Sequence, residues 1–198
     1  MIYGDTITAV ATARGRGGIA VVRVSGPDAF EVAEKVAGIK PPHGKNSVSV
    51  ASFRDISEGG KTVDNGVVLS FSAPRSYTGE DVVEFQCHGG EIAPARVLSA
   101  CLAAGARRAD RGEFTRRAFL NGRMGFDEAA AVLNLIDAKT ARAADAALAG
   151  LSGERTKKCR RLYERALEIS VELEHALDID EGELQEDFPV RQLQAVNG

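Results

Sequence analysis

The chain has no tryptophan and only three tyrosines, three cysteines and six prolines in 198 residues. Cys87, Cys101 and Cys159 are too few and too scattered for a disulfide framework or a zinc knuckle. No apolar run approaches the ~20 residues a membrane-spanning helix needs. The opening MIYGDTITAVATARGRGG lacks the basic start and apolar core of a secretory signal. Together these absences lead us to expect a protein of the reducing cytoplasm with no membrane association. A large charge excess is missing too: 25 Lys and Arg against 28 Asp and Glu give a net charge of −3. That excludes a strongly basic nucleic-acid module, although not a local basic patch. The acids gather late, with Asp178, Asp180, Glu181, Glu183, Glu186 and Asp187 facing only Arg191 after Leu177. The body before them is nearly neutral.

What remains is an ordinary globular composition, 44% apolar and 27% charged, and two different textures along the chain. Short β-branched runs at 6–10 and 19–24 flank Gly15-Arg16-Gly17-Gly18 and read as two strands around a loop. A helix is expected after Ser25-Gly26-Pro27-Asp28, with Gly26 as N-cap and Pro27 at the first helical position. Its apolar face is Phe30, Ala33, Val36 and Ala37, and Gly38 ends it. Further strands are expected at 48–53, 67–71 and 82–87, and a second helix at 92–104. This alternation indicates an α/β or α+β domain. After Asp127 the strand signals stop. Residues 127–150 contain ten alanines, and 154–177 carry Leu162, Ala166, Ile169, Leu173 and Ala176 as one helical stripe that needs a partner surface. The acidic stretch 178–187 has the composition of a solvated linker and is read as a hinge rather than a metal site.

Several places could hold chemistry. GRGG could offer backbone N–H groups to an anion, but read alone it is a tight turn. The P-loop pattern G-x-x-x-x-G-K-[ST] occurs nowhere. Cys87-His88 closes a strand before a helix, yet adjacent strand residues point to opposite faces, which argues against a nucleophile pair. Glu84 interrupts an apolar strand. It either faces solvent or is buried with a partner such as Arg23, and a ligand with paired N–H donors, such as a pterin, would also satisfy it. Arg107, Arg108, Arg111, Arg116, Arg117 and Arg123 form a basic cluster, read here as a solvated helix face in which one or two guanidinium groups could bind a carboxylate.

Taken in order, Asp5-Thr6-Ile7, GRGG followed by VVRVSG, SYTGED at 76–81, EFQCHGG at 84–90, RGEF at 111–114 and RAFLNG at 117–122 closely resemble the N-terminal region of the MnmE (TrmE) family of bacterial tRNA modification GTPases. The match runs over residues 5–177. The resemblance implies an α+β, mixed-sheet domain over 1–122, similar to the folate domains of aminomethyltransferases, that binds folate and forms a homodimer. An all-α segment over 123–198 then begins the helical domain and carries the acidic linker, with the family's GTPase domain absent from these residues. It further implies contacts to 5-formyltetrahydrofolate or another tetrahydrofolate derivative from Arg23, Glu84 and Arg123. No catalytic residue and no metal ligand is carried over. The family acts with an FAD-dependent MnmG-type partner on C5 of the wobble uridine of tRNA, in 5-carboxymethylaminomethyl-uridine synthesis. GTP, potassium and magnesium enter only through the GTPase domain, so this chain alone is expected not to hydrolyse GTP.

Three departures stand out. The family commonly has Lys where this chain has Arg123, and a planar fork is not an ammonium. Residues 124–126 read Met-Gly-Phe, where the family usually shows a Leu-Asp-Leu type sequence. Residues 179–186 are interposed before Asp187-Phe188-Pro189. Two rival readings are a stand-alone folate-dependent aminomethyltransferase-like protein and a dimerisation scaffold without a ligand.

Overall fold

The β-branched runs become strands in the computed structural model, which describes residues 4–178. Strands β1 (Ile7–Val10) and β2 (Ile19–Ser25) pair around the glycine-rich loop. Strands β3 (Ser47–Asp55) and β4 (Lys61–Phe71) form a hairpin, and β5 (Val82–His88) lies between β4 and β2. The two-residue β6 (Arg107–Arg108) completes a six-stranded sheet of order β3-β4-β5-β2-β1-β6. Every neighbouring pair is antiparallel except β1 and β6, which are parallel. Helices α1 (Ala29–Ala37), α2 (Ile92–Ala103) and α3 (Glu113–Leu120) accompany the sheet, and α4 (Phe126–Ile136), α5 (Ala141–Leu151) and α6 (Glu154–Asp178) follow it. This is the mixed-sheet α+β arrangement, followed by helices, that the sequence predicts. The chain divides into two compact units, Met1–Ala129 and Ala130–Gly198.

Period-two alternation builds the core of the first unit. Val22 and Val24 of β2, Val68 of β4, and Val83, Phe85 and Cys87 of β5 face one side. There they meet Phe30, Val32, Ala33 and Val36 of α1 and Val97, Leu98 and Cys101 of α2. Phe53 and Phe85 meet edge to face at 5.4 Å between ring centroids, an aromatic contact that adds to the area each ring buries. The opposite face carries Arg23, Glu84, Gln86 and His88.

Local differences from the sequence reading have physical causes. Helix α1 begins at Ala29 with Asp28 at its N-cap position, not Gly26. Gly26 instead has φ +138°, and a Cβ there would lie 2.6 Å from the Asp5 carbonyl oxygen, so only glycine fits the crossing. Strand β4 starts six residues earlier than its apolar run, because Lys61–Gly66 is a polar segment that pairs with the end of β3. The alanine-rich stretch forms two helices, α4 and α5. Thr140 caps α5, its hydroxyl accepting from the Ala143 N–H at 3.2 Å. In the second unit Ala131 and Ala147 are buried, whereas Leu162 and Leu173 of the α6 stripe are exposed, as are Leu167 and Val171 beside it on the same helix. The side chain of Ala176 and the acidic stretch from Ile179 onward lie outside the described residues. Among the described residues no helix is long and apolar enough to cross a membrane.

The basic cluster is not one solvated face. Arg117 of α3 is wholly buried, its Nη1 donating to the Asp5 carbonyl at 2.9 Å and to both Glu80 oxygens at 3.3 Å. Its Nη2 reaches Asp5 Oδ1 at 2.8 Å and Glu113 Oε1 at 3.1 Å. Glu113 also accepts two hydrogen bonds from Arg107, at 2.9 and 2.7 Å, and one from the Asp110 N–H at 2.8 Å. Glu80 is completed by the Ser25 hydroxyl at 2.7 Å. These contacts tie the β1 entry, the β2 exit, the loop before β5, β6 and α3 together.

The Arg107 hydrogen bonds pull Glu113 down to about 2, against burial, which works in the other direction, and with help from the Asp110 N–H and Arg117. A carboxylate whose folded value lies below its ordinary 4.5 stabilises the fold above that pH and loses the contribution as pH falls toward about 2. Glu113→Gln is therefore expected to cost about 3 kcal/mol at neutral pH, because it leaves buried guanidinium charge short of a partner. The gap from the parent should narrow in acid. Denaturant unfolding of both proteins at pH 7 and at pH 3 checks this; an equal gap at both would refute the assignment.

Candidate functional site

The antiparallel register sets Arg23 of β2 directly opposite Glu84 of β5, so both side chains emerge side by side on the face away from α1 and α2. Arg23 donates to Glu84 Oε1 from Nε at 2.8 Å and from Nη2 at 2.7 Å. Glu84 thus has the partner the sequence pointed to. The pair is mostly covered, at 23% and 16% side-chain exposure, and both arginine donors converge on one carboxylate oxygen. The other oxygen, Oε2, accepts no hydrogen bond from the described residues and is available to a donor from outside the chain.

Aromatic rings enclose the guanidinium. The Arg23 Cζ lies 5.0 Å from the Tyr77 ring centroid and 5.5 Å from that of Phe114, within cation–π range. Tyr77 is anchored by its hydroxyl, 2.8 Å from Thr115 Oγ1 on α3. Phe114 and Thr115 are neighbours on α3, and α3 is fixed by buried Arg117, so the ion network positions this site as well as holding the fold. Sequence reading quoted Tyr77 and Phe114 within motifs but gave neither a role. The available signal was that an arginine in an apolar strand needs a desolvated surface to lie against.

Arg123 does not touch the Arg23–Glu84 pair. Its Nε donates to the Ser76 carbonyl at 3.1 Å, and its methylenes pack on Gly79, where a Cβ would lie 2.9 Å from Arg123 Cγ. Asn121 Nδ2 donates to the Thr78 carbonyl at 2.8 Å. Arg123 therefore braces the loop that carries Tyr77, and reaches the other two residues through it.

Cys87 and His88 part as adjacent strand residues must. Cys87 is in the core, where burial pushes its thiol up to about 11 with the Asp64 charge adding to the effect. Such a thiol is no nucleophile at neutral pH. His88 is exposed on the other face, its Nδ1 2.7 Å from Asp64 Oδ1, while its backbone N–H donates to Asp64 Oδ2 at 2.8 Å. Partial burial alone would raise Asp64, but the hydrogen bonds from His88 and the Asn65 N–H outweigh it and hold the carboxyl low. No group of three or more His, Cys, Asp or Glu side chains is arranged to hold a metal ion among the described residues.

Residues 6–123 match the family described as GTP-binding protein TrmE N-terminus. Related proteins named tRNA modification GTPase MnmE include those of Symbiobacterium thermophilum, 47% identical over 91% of this chain and 40% of the relative, and Azoarcus sp., 45% identical over 91% of this chain and 39% of the relative. That of Halorhodospira halophila is 50% identical over 90% of this chain and 37% of the relative. The chain spans about two fifths of the length of the curated relatives it matches. The match covers the whole sheet, the Arg23–Glu84 pair and the loop braced by Arg123: this chain belongs to the TrmE N-terminal family.

Proposed function

We propose that this chain is the folate-binding and dimerising part of a tRNA modification GTPase, with residues 1–122 as the folate domain and 123–198 as the start of a helical domain. The observation that carries the reading is the aromatic-flanked Arg23–Glu84 pair, with one carboxylate oxygen left for a ligand donor. A pterin presents adjacent N–H donors, which a partly desolvated carboxylate accepts well. Arg23 and Glu84 fit such a ligand as chemistry, while Arg123 supports the loop beside them and adds positive charge. When bound, a tetrahydrofolate derivative such as 5-formyltetrahydrofolate supplies a one-carbon unit. Arg23 orients Glu84, Tyr77 and Phe114 exclude water from the guanidinium, and Glu84 holds the ligand's donors.

In this reading the one-carbon unit goes to C5 of the wobble uridine of tRNA, with an FAD-dependent MnmG-type protein as partner. GTP, potassium and magnesium belong to a GTPase domain that these 198 residues do not include. A homodimer is supported by the edge strand β3, which leaves Val48 and Val50 exposed at 68% and 83%, an apolar edge of the kind that pairs with another chain. The names of the relatives support the tRNA modification part of the reading. One observation favours a stand-alone folate transferase instead: the exposed His88 ring held by Asp64 could serve as a base.

Calorimetric titration with 5-formyltetrahydrofolate is the direct test. Micromolar-range binding is expected, weakened about tenfold or more by Arg23→Ala or Glu84→Ala; a folded chain that binds no folate, or binds it equally after Glu84→Ala, is a scaffold. Transfer of a labelled one-carbon unit by this chain alone, abolished by His88→Ala, would favour the transferase. The chain alone is expected to show no potassium-stimulated phosphate release from GTP. Val50→Lys is expected to shift sedimentation toward the monomer without lowering the melting temperature.

A further inference from the structure

We propose that the cleft beneath the glycine-rich loop is a binding site for a phosphate ester, separate from the Arg23–Glu84 pair. The cleft encloses about 820 Å³ between the β1–β2 loop, the start of α2 and the segment after β6. Four arginines line it: Arg14, Arg16, Arg108 and Arg111. None of their side chains makes a hydrogen bond or ion pair among the described residues, whereas Arg23, Arg107 and Arg117 of the same unit are all tied to carboxylates. The one acid in the lining is Glu91, which stands at the N-cap position of α2 and makes no capping bond. Four like charges against a single acid repel one another, and an anion relieves that repulsion.

The glycine-rich wall of the cleft is closely packed. Gly89 lies so close to the loop that a Cβ would sit 2.0 Å from the Gly17 carbonyl oxygen, and its N–H donates to the Gly18 carbonyl at 3.2 Å. The glycine loop is thereby clasped onto the turn that opens α2, a helix whose N-terminal end favours negative charge. Behind the arginines the lining includes Val10, Ala20 and Leu98, a floor for an apolar or planar part of the ligand. Guanidinium forks match phosphate oxygens two at a time. The combination suits a phosphate ester, whether a small nucleoside diphosphate or the backbone of a single-stranded nucleic acid. Arg23 projects from the opposite face of the sheet, so this proposal stands apart from the folate reading.

The test uses the 198-residue chain with inorganic pyrophosphate and ADP by calorimetry, and a short fluorescein-labelled oligouridylate by anisotropy. At least one probe is expected to bind, and Arg16→Ala/Arg111→Ala is expected to weaken it about tenfold or more. Lys40→Ala/Arg54→Ala, which removes two exposed cations outside the cleft, is expected to leave it unchanged. All four positions are exposed, so melting temperatures should hold. Binding of pyrophosphate and ADP, with no advantage for the oligonucleotide, assigns a small phosphorylated ligand. Binding of the oligonucleotide alone, with log affinity falling against log salt with a slope of about 3 for four arginines, assigns the nucleic-acid backbone. No binding by any probe, or an equal loss in the two double variants, overturns the proposal.

Discussion

The burial of one guanidinium organises the sheet-containing unit. Arg117 has no exposed surface, and an ion in that position is tolerable only if acceptors of opposite charge lie against it. Glu80, Glu113 and Asp5 supply them. Glu113 stands one turn away on the same helix, but Glu80 and Asp5 come from distant parts of the sequence, so the charge cannot be satisfied until those parts have met. A hydrophobic core rewards any compact arrangement of roughly the right volume. This network rewards one arrangement, and the arrangement it selects sets α3 above the sheet with Phe114 facing Arg23.

The sheet keeps two chemistries apart by its pleat. Residues of one parity on β2 and β5 enter the apolar core with α1 and α2, and those of the other parity form the Arg23–Glu84 pair and the row that ends at His88. Arg23 and Glu84 pair with each other before any ligand arrives, which offsets the desolvation cost of a mostly covered carboxylate. The aromatic rings do the same for the guanidinium on its other side. A ligand meeting this pair finds its acceptor already oriented.

How much of this could be read from the residues varies with the range of the interaction. Helices α1, α2 and α6 and the strands around Val22 and Phe85 were legible because periodicity is local. Glu84 and Arg23 stood out because charge in an apolar strand demands an explanation, and the register supplied it. The start of β4 was not legible, since Lys61–Gly66 is polar and becomes a strand only by pairing with β3. Nor was the fate of the arginine cluster. Nothing within a few residues of Arg117 distinguishes it from Arg116, yet one is buried and the other exposed. That difference depends on carboxylates far away in sequence, and Tyr77 and Phe114 gained their role in the same way.

Strand β6 is only two residues long, and its parallel pairing sets Arg107 beside Ile7 and Arg108 beside Thr8. Ile7 and Thr8 face opposite sides, so two chemically identical neighbours are sent to different places. Arg107 enters the ion network, and Arg108 enters the arginine-lined cleft. Identity of side chain carries no information here; only position in the ladder does. A single-residue insertion or deletion between α2 and β6 would move one of the two guanidinium groups into the other's place and leave an alanine, Ala106 or Ala109, in the position vacated. An insertion would take the arginine from the network and a deletion would take it from the cleft, so the length of that connection is as much a determinant as any residue on it.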